Sequence, residues 1–580
     1  MHGGAALKLP LFTALRESLA GGYTRRMLRG DLIAGVTVGI IAIPLAMALA
    51  IAVGVEPQQG LYTAIIAGLI IAVTGGSRFN VSGPTAAFVV ILLPITQTHG
   101  PAGLLMVTMM AGIILMLAGM ARLGNLVQFV PYPVIIGFTA GIAVVIATLQ
   151  IKDLLGLSMP TAEAGYIDQV AALGRALSTW RPGDSLVGVL TLSILIFWPK
   201  LTRRVPSHLV ALLAGSLAAI ILGQVAIPVE TLGSRFSYTL DGVTHPGIPP
   251  VAPQLLLPWN LPGPDGVPLL PSLALIRELL PAALAVAMLG AIESLLCALV
   301  ADGMSGTRHD PNAELTGQGL GNLIAPLFGG ITATAALART AANVRAGAFT
   351  PLAAVIHALV VLAAVVLLAE LFAYLPMASL AALLLMVAWH MSEAPRVLRL
   401  LRIGPRGDIA VLLTCLSLTV IFDMVLAVGV GLLLAAALFL RRMAEVSQGS
   451  DQPRAVHPAL AELPASVALY QVRGPLFFAA ADKALSAMTR YDAETSVLAL
   501  DLSEVPSMDM SALILLEKGL QDLARRNIRV CLIGTNAALR HQLSRAGVGA
   551  RRGQRAFAAT PETAAHLIRR MLGESALSVP

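Results

Sequence analysis

Charge is scarce in this sequence. Asp, Glu, Lys and Arg make up 12% of its 580 residues, where soluble globular domains carry about 25%, so a single water-soluble globule is excluded. Cysteine is scarcer still: Cys297, Cys415 and Cys531 are the only three. They stand too far apart for a disulfide framework or a metal-ligand spacing. Aromatic residues reach 5% and interleave with no basic run, so the formal net charge of +7 is no nucleic-acid signature. The excess Arg sits beside apolar segments, where it sets membrane topology. There is no phosphate-cradling glycine loop, no nucleophile–base pair and no zinc set, which argues against an enzyme and leaves no cofactor or metal to expect. Residues 1–19 lack a cleavage pattern after an apolar core, so insertion is expected to begin with the first span.

Hydrophobic residues are what the chain has, at 57%. From Asp31 to Leu440 they form long apolar blocks; after Arg441 and Arg442 the composition is that of a soluble protein. The expected organisation is a cytoplasmic segment 1–30, a transmembrane domain 31–442, a linker 443–465 and a compact tail domain 466–580. A spanning helix needs about 20 apolar residues. Candidates lie at 32–53, 61–74, 103–121, 132–149, 188–198, 208–225, 279–300, 351–368, 378–389, 409–421 and 425–440. Shorter pieces at 84–96, 319–328 and 334–347 bring the count to about 14. An even count puts both termini on one side. Arg25, Arg26, Arg29, Arg78, Arg122, Arg203, Arg204, Arg396, Arg399, Arg402, Arg406, Arg441 and Arg442 all fall on that side, which the positive-inside rule makes cytoplasmic.

The chain also echoes itself. Leu69-Ile-Ile-Ala-Val-Thr-Gly-Gly76 resembles Leu323-Ile-Ala-Pro-Leu-Phe-Gly-Gly330, and each Gly-Gly precedes a short polar-then-apolar piece, 80–88 and 332–340. The copies are seven spans apart, an odd number, so they cross the membrane in opposite senses. That is an inverted-topology repeat, whose substrate site is expected where two interrupted helices meet at the midplane. A helix that starts inside the membrane presents free N–H groups and the positive end of its dipole, an anion site when buried. Ser82, Gly83 and Pro84 read as such a start, with a hydroxyl to cap, a glycine for close approach and proline in the first turn. The competing reading is that the glycines only permit close helix packing.

Two charges stand within apolar segments. Glu293 lies mid-span in 287–297, where a carboxylate must be protonated, paired or hydrated; it is a coupling-ion candidate or a structural partner of Arg339. Arg339 supplies positive charge to the site or snorkels to the cytoplasmic face. Asp423, between the last two spans, reads as a turn or helix cap. In the tail, strands are expected at 467–474, 496–502 and 528–533, with helices at 481–489, 511–525, 536–546 and 563–572, a small α/β domain. Its polar turn 501–511 is a candidate interaction site, and Asp509 or Ser511 a plain helix cap.

These residues carry a resemblance. Asp31-Leu-Ile-Ala-Gly-Val-Thr-Val-Gly-Ile-Ile-Ala-Ile-Pro-Leu-Ala-Met-Ala48 resembles the opening span of the SulP (sulfate permease-like) anion transporters. So does Asn312-Ala-Glu-Leu-Thr-Gly-Gln-Gly-Leu-Gly-Asn322, running through Phe328-Gly-Gly330 and Arg339-Thr-Ala-Ala-Asn343 to 346–348. The tail is similar to a STAS domain. Within the family the resemblance is to the bacterial C4-dicarboxylic acid transporter branch. It implies a polytopic α-helical membrane protein of about 14 segments in a 7+7 inverted repeat, divided into core and gate subdomains, with a small cytoplasmic α/β STAS domain. It implies a homodimer in the bacterial inner membrane, working by an elevator-like movement. Substrate would sit between Ser82, Gly83, Thr85 and Ala86 on one side and Ala338, Arg339 and Thr340 on the other, with Glu293 at the coupling position. Uptake of succinate, fumarate, malate or aspartate, driven by protons or sodium, is the implied function. Sulfate, bicarbonate or chloride exchange on the same scaffold is the alternative, and a sensor signalling through the STAS domain to a cytosolic partner is a third reading.

Two departures bear on this. Leu45 follows Pro44 where many members have Gln, which removes an amide from the pocket. The STAS turn reads Asp509-Met510-Ser511-Ala512, so one hydroxyl and the glycine of the phosphorylated relatives are gone.

Overall fold

The computed structural model describes residues 11–125, 130–159, 166–202, 205–240, 242–263, 266–422, 424–446, 448–452, 457–477, 481, 485, 491, 494–551 and 554–573. Arg203, Arg204, Asp423 and most of the helix expected at 481–489 lie outside them. The chain divides into two compact units, Met1–Leu432 and Leu433–Pro580.

Ten helices among the described residues are long and apolar enough to cross a membrane. One of them, continuous through Val89–Met120, breaks at Gly100 (φ 67°) and counts as two segments. Pro311–Ile324, Leu337–Arg345 and Arg406–Ile421 are shorter, and with them the count is fourteen. In chain order the spans are Arg25–Val53, Pro57–Thr74, the two limbs of Val89–Met120, Tyr132–Leu155, Pro182–Leu201, Ser207–Gln224, Leu273–Ser305, Pro311–Ile324, Leu337–Arg345, Leu352–Phe372, Met377–Met391, Arg406–Ile421 and Met424–Val446. Leu213, Leu217, Phe197 and Leu367 are more than half exposed, as apolar side chains facing lipid must be.

Packing sorts the spans into the two expected subdomains. The first, second, fourth, eighth, ninth, tenth and eleventh spans pack on one another, and the fifth packs with the sixth, twelfth and thirteenth. Close approach in the first group depends on absent side chains. A Cβ on Gly112 of the fourth span would lie 2.6 Å from the Leu323 amide nitrogen, and one on Gly319 of the ninth would lie 2.7 Å from the Gly112 carbonyl. Close approach of the fourth and ninth spans at this crossing therefore depends on glycine.

Two short pieces depart from the sequence expectation. Ser82–Gly83 is a strand, not a helix start, and pairs antiparallel with Thr334–Ala335, Ser82 opposite Ala335 and Gly83 opposite Thr334. Helical geometry begins only at Ala86, after Thr85 in an extended conformation (φ −127°, ψ 155°). The ninth span also starts earlier than expected, at Pro311. Asp310 caps it, accepting from the Asn312 and Ala313 amides at 3.0 and 3.1 Å.

The tail unit holds one five-stranded sheet in sequence order: Gln448–Gln452, Val467–Arg473, Val497–Glu504, Arg529–Ile533 and Arg555–Ala558. The first pair is antiparallel and the others are parallel. Helices Met510–Arg525 and Ala537–Arg545 bury Leu513, Leu516, Leu520, Leu523, Leu539 and Leu543 on one face. Pro561–Leu572 buries Ala564 and Ile568 on the other, with Leu460 and Leu463. A parallel sheet covered on both faces is why its strands read as unbroken apolar runs. Asp509 is the helix cap, accepting from the Ala512 amide at 2.8 Å, and Ser511 is exposed in the first turn.

Candidate functional site

The strand pair brings the two repeats together. From its opposite ends run the third span, entered at Ala86, and the tenth, entered at Leu337 after Ala336. Cross-repeat bonds fix the junction: the Ala336 amide donates to the Val81 carbonyl (3.0 Å), the Val81 amide to Thr340 Oγ1 (3.0 Å), and Asn343 Nδ2 to the Phe79 carbonyl (2.9 Å). Each interrupted helix is thus held by the other repeat.

Arg339 sits at this junction with 4% of its surface exposed. Its Nη2 donates to the Pro84 carbonyl at 2.5 Å, so the side chain points across to the opposite repeat and does not snorkel to the membrane face. Its Nη1 has no hydrogen-bonding partner. Gly83 makes room for it: a Cβ there would fall 2.6 Å from Nη1. A buried guanidinium with a free donor beside two helix starts is an arrangement that can hold an anion.

Glu293, on the eighth span, is only partly buried and accepts from Thr85 Oγ1 at 3.0 Å. Among the described residues no ion pair within 4.0 Å joins it to Arg339. The carboxylate and the guanidinium therefore flank the start of the third span and leave the donor of Arg339 uncommitted.

The remaining expected site residues divide. Ser82 and Gly83 lie in the strand, Ala86 is buried in the first turn, and Ala338 is exposed on the tenth span. Thr340 is buried, its hydroxyl taken up by the Val81 amide. A set that the sequence analysis did not single out lies behind them. Glu314 Oε2 accepts from the amides of Gly76 and Ser77, both at 3.0 Å, and its Oε1 from Asn80 Nδ2 (2.7 Å) and Gln318 Nε2 (3.2 Å). Gln318 Nε2 also donates to Ser82 Oγ (3.0 Å), and Asn322 clamps Ala333 through both backbone groups (2.8 Å each). The signal was present as the four-residue spacing of Glu314, Gln318 and Asn322, which places them on one helix face. Among the described residues no group of His, Cys, Asp and Glu is arranged to hold a metal.

Comparison with known proteins agrees with this geometry. The sulfate permease family model matches residues 28–415, and the STAS domain model matches residues 459–557. YvdB of Bacillus subtilis, which carries a sulfate-transporter name, is 39% identical over 92% of this chain and 97% of its own. The bicarbonate transporter BicA of Picosynechococcus is 31% identical over 90% of this chain and 91% of its own. The solved transmembrane domain of a cyanobacterial BicA superposes with a TM-score of 0.59 at 30% identity, covering 71% of this chain and 98% of that one. The structure of SLC26A9 shares the fold at a TM-score of 0.79 and 17% identity, covering 97% of this chain and 94% of that one. With a family model over most of its membrane domain, a STAS tail and relatives 31–39% identical over nine-tenths of its length, this chain belongs to the sulfate permease family of anion transporters.

Proposed function

We propose that the transported anion is a small inorganic oxyanion of the sulfate or bicarbonate class. The observation that carries this reading is the free Nη1 of Arg339, buried between the starts of the third and tenth spans. One guanidinium donor and two helix starts make a compact positive site. A C4-dicarboxylate carries its two charges several ångströms apart, and among the described residues Arg339 is the one permanent cation at this junction. The relatives point the same way, being named for bicarbonate and, in a bovine relative 28% identical over 88% of this chain, for sodium-independent sulfate transport. This reading replaces succinate and its analogues as first choice.

Glu293 is the coupling residue in this scheme. It touches Thr85 at the helix start, so a proton or sodium ion bound there alters the field at the anion. Core and gate subdomains would exchange the site between the two faces by an elevator-like movement, in a homodimer of the bacterial inner membrane. Both termini would lie in the cytoplasm, with the STAS unit free to meet a cytosolic partner.

The test is labelled sulfate uptake into proteoliposomes, with and without an inward proton gradient, competed by bicarbonate and by succinate. Uptake blocked by bicarbonate and unaffected by succinate is the expected result. Blockade by succinate, with succinate itself accumulated, would return the site to dicarboxylates.

A further inference from the structure

The eleventh span carries an ionisable group that the anion site leaves unused. His357 is fully buried, and neither ring nitrogen has a hydrogen-bonding partner. A buried polar side chain without partners is uncommon enough to ask for a role. The eleventh span packs against the first and second spans. A Cβ on Gly68 of the second span would lie 4.0 Å from His357 Nδ1 and 3.2 Å from the Ser82 carbonyl oxygen. The imidazole and the site strand thus border the same small space.

The charged groups around it are few. On the first span Arg25, Arg26, Arg29 and Asp31 lie near its cytoplasmic end, and Asp31 is bonded to the Phe349 and Thr350 amides at 2.6 and 3.0 Å. That is seven residues before His357, about 10 Å along the helix. The second span offers only Tyr62, which donates to the Val251 carbonyl. Glu370 is thirteen residues further along the same helix, and Arg345 ends the tenth span. Arg339 is the cation on the strand side of this space: its Nη1 lies against Gly83, the neighbour of the Ser82 whose carbonyl borders Gly68. Two cations this deep repel each other in a medium of low dielectric. An anion of two charges at the site would compensate both, and an anion of one charge is matched by Arg339 alone.

We propose that His357 is a specificity-determining residue: it takes up one proton when a doubly charged anion occupies the site and stays neutral with a singly charged one. No bond to the anion forms or breaks. The proton enters from the water on the side where the anion enters, resides on a ring nitrogen, and leaves on the side of release. By linkage, each ligand then strengthens the other's binding by the same factor. This inference rests on the oxyanion reading above.

The experiment uses the full chain in proteoliposomes, with sulfate and bicarbonate kinetics measured at fixed free anion concentration from about pH 5 to 8. Toward the acid end wild-type sulfate uptake should rise more steeply than bicarbonate uptake; any proton coupling through Glu293 affects both alike. In His357→Gln and His357→Asn, which are polar but cannot take up a proton, that excess should vanish. The ratio of sulfate to bicarbonate kcat/KM should fall at least tenfold. Variants that scale both anions equally and keep the excess acid-side slope for sulfate would overturn the proposal and reduce His357 to a packing residue. A measurement on wild type alone guards against misfolded variants. Calorimetric titration in buffers of different ionisation enthalpy should show about one more proton taken up per sulfate than per bicarbonate, the linkage stated above. Equal proton uptake would also overturn it. Wild type that moves neither anion would instead refute the oxyanion reading, and this inference with it.

Discussion

Replacing Gly83 by Ala tests the cradle without touching a charged group. The added Cβ would lie 2.6 Å from Arg339 Nη1 and 3.5 Å from Ala64 Cα. The main chain of the second span cannot retreat cheaply, so the guanidinium must, by about 0.8 Å to restore ordinary van der Waals separation. That shift either stretches the Nη2 bond to the Pro84 carbonyl from 2.5 Å to about 3.3 Å, beyond the usual range for such a bond, or carries Nη1 away from the anion. Hydrogen bonds to charged groups contribute about 1.5–3 kcal/mol. A displaced Arg339 forfeits one such bond, to Pro84 or to the anion. At about 1.4 kcal/mol per tenfold, the expected rise in KM for sulfate is roughly 10- to 100-fold. Maximal rate should change less, because the bond is made to bound substrate throughout the cycle. The assay is initial-rate uptake in proteoliposomes over a range of sulfate concentrations, with the reconstituted protein first checked for an unchanged melting temperature. A KM within twofold of wild type would show that Nη1 does not meet the anion.

Three further outcomes are expected. Glu293→Gln should abolish gradient-driven accumulation while leaving exchange of internal for external anion, and full accumulation by the variant would remove Glu293 from coupling. Glu314→Ala leaves the donors of Gly76, Ser77, Asn80 and Gln318 without their acceptor; at about 1–3 kcal/mol for each buried donor left unpaired it should lower the melting temperature by several degrees, and an unchanged temperature would show the network to be dispensable. All three cysteines are buried, and burial pushes the Cys531 thiol up to about 12, so maleimide should leave the native protein unlabelled at neutral pH and add three labels only on denaturation.

The sequence shows those features of the fold that are written locally. Long apolar runs give the spans, because a helix that crosses a bilayer depends on nothing more distant than its own residues. The start of the third span is different. Ser82, Gly83 and Pro84 have the residue types of a helix cap, but their backbone is extended because Thr334 and Ala335 pair with it, and local propensity cannot anticipate a partner in the other repeat. The same holds for Gln448–Gln452, which lies in the stretch expected to be a linker and becomes a strand by pairing with Val467–Arg473. Arg339 and Glu293 stood out because charge in an apolar run is conspicuous. Glu314 did not, since it lies among the polar residues of the ninth span, and only its four donors show how completely it is committed.

The strand pair also sets a timetable for biosynthesis. Arg339 and its acceptor Pro84 are 255 residues apart, and at about 5–20 residues per second the ribosome takes roughly 13–50 s to make the later one after the earlier. Throughout that interval the first half of the transporter must wait in the bilayer with Asn80, Ser82 and an open strand edge lacking their eventual partners. An unpaired edge in lipid is not tolerated. A nascent chain halted before the ninth span should therefore stay bound to insertion machinery or to water at the membrane surface, and the anion site can have no precursor in either repeat alone.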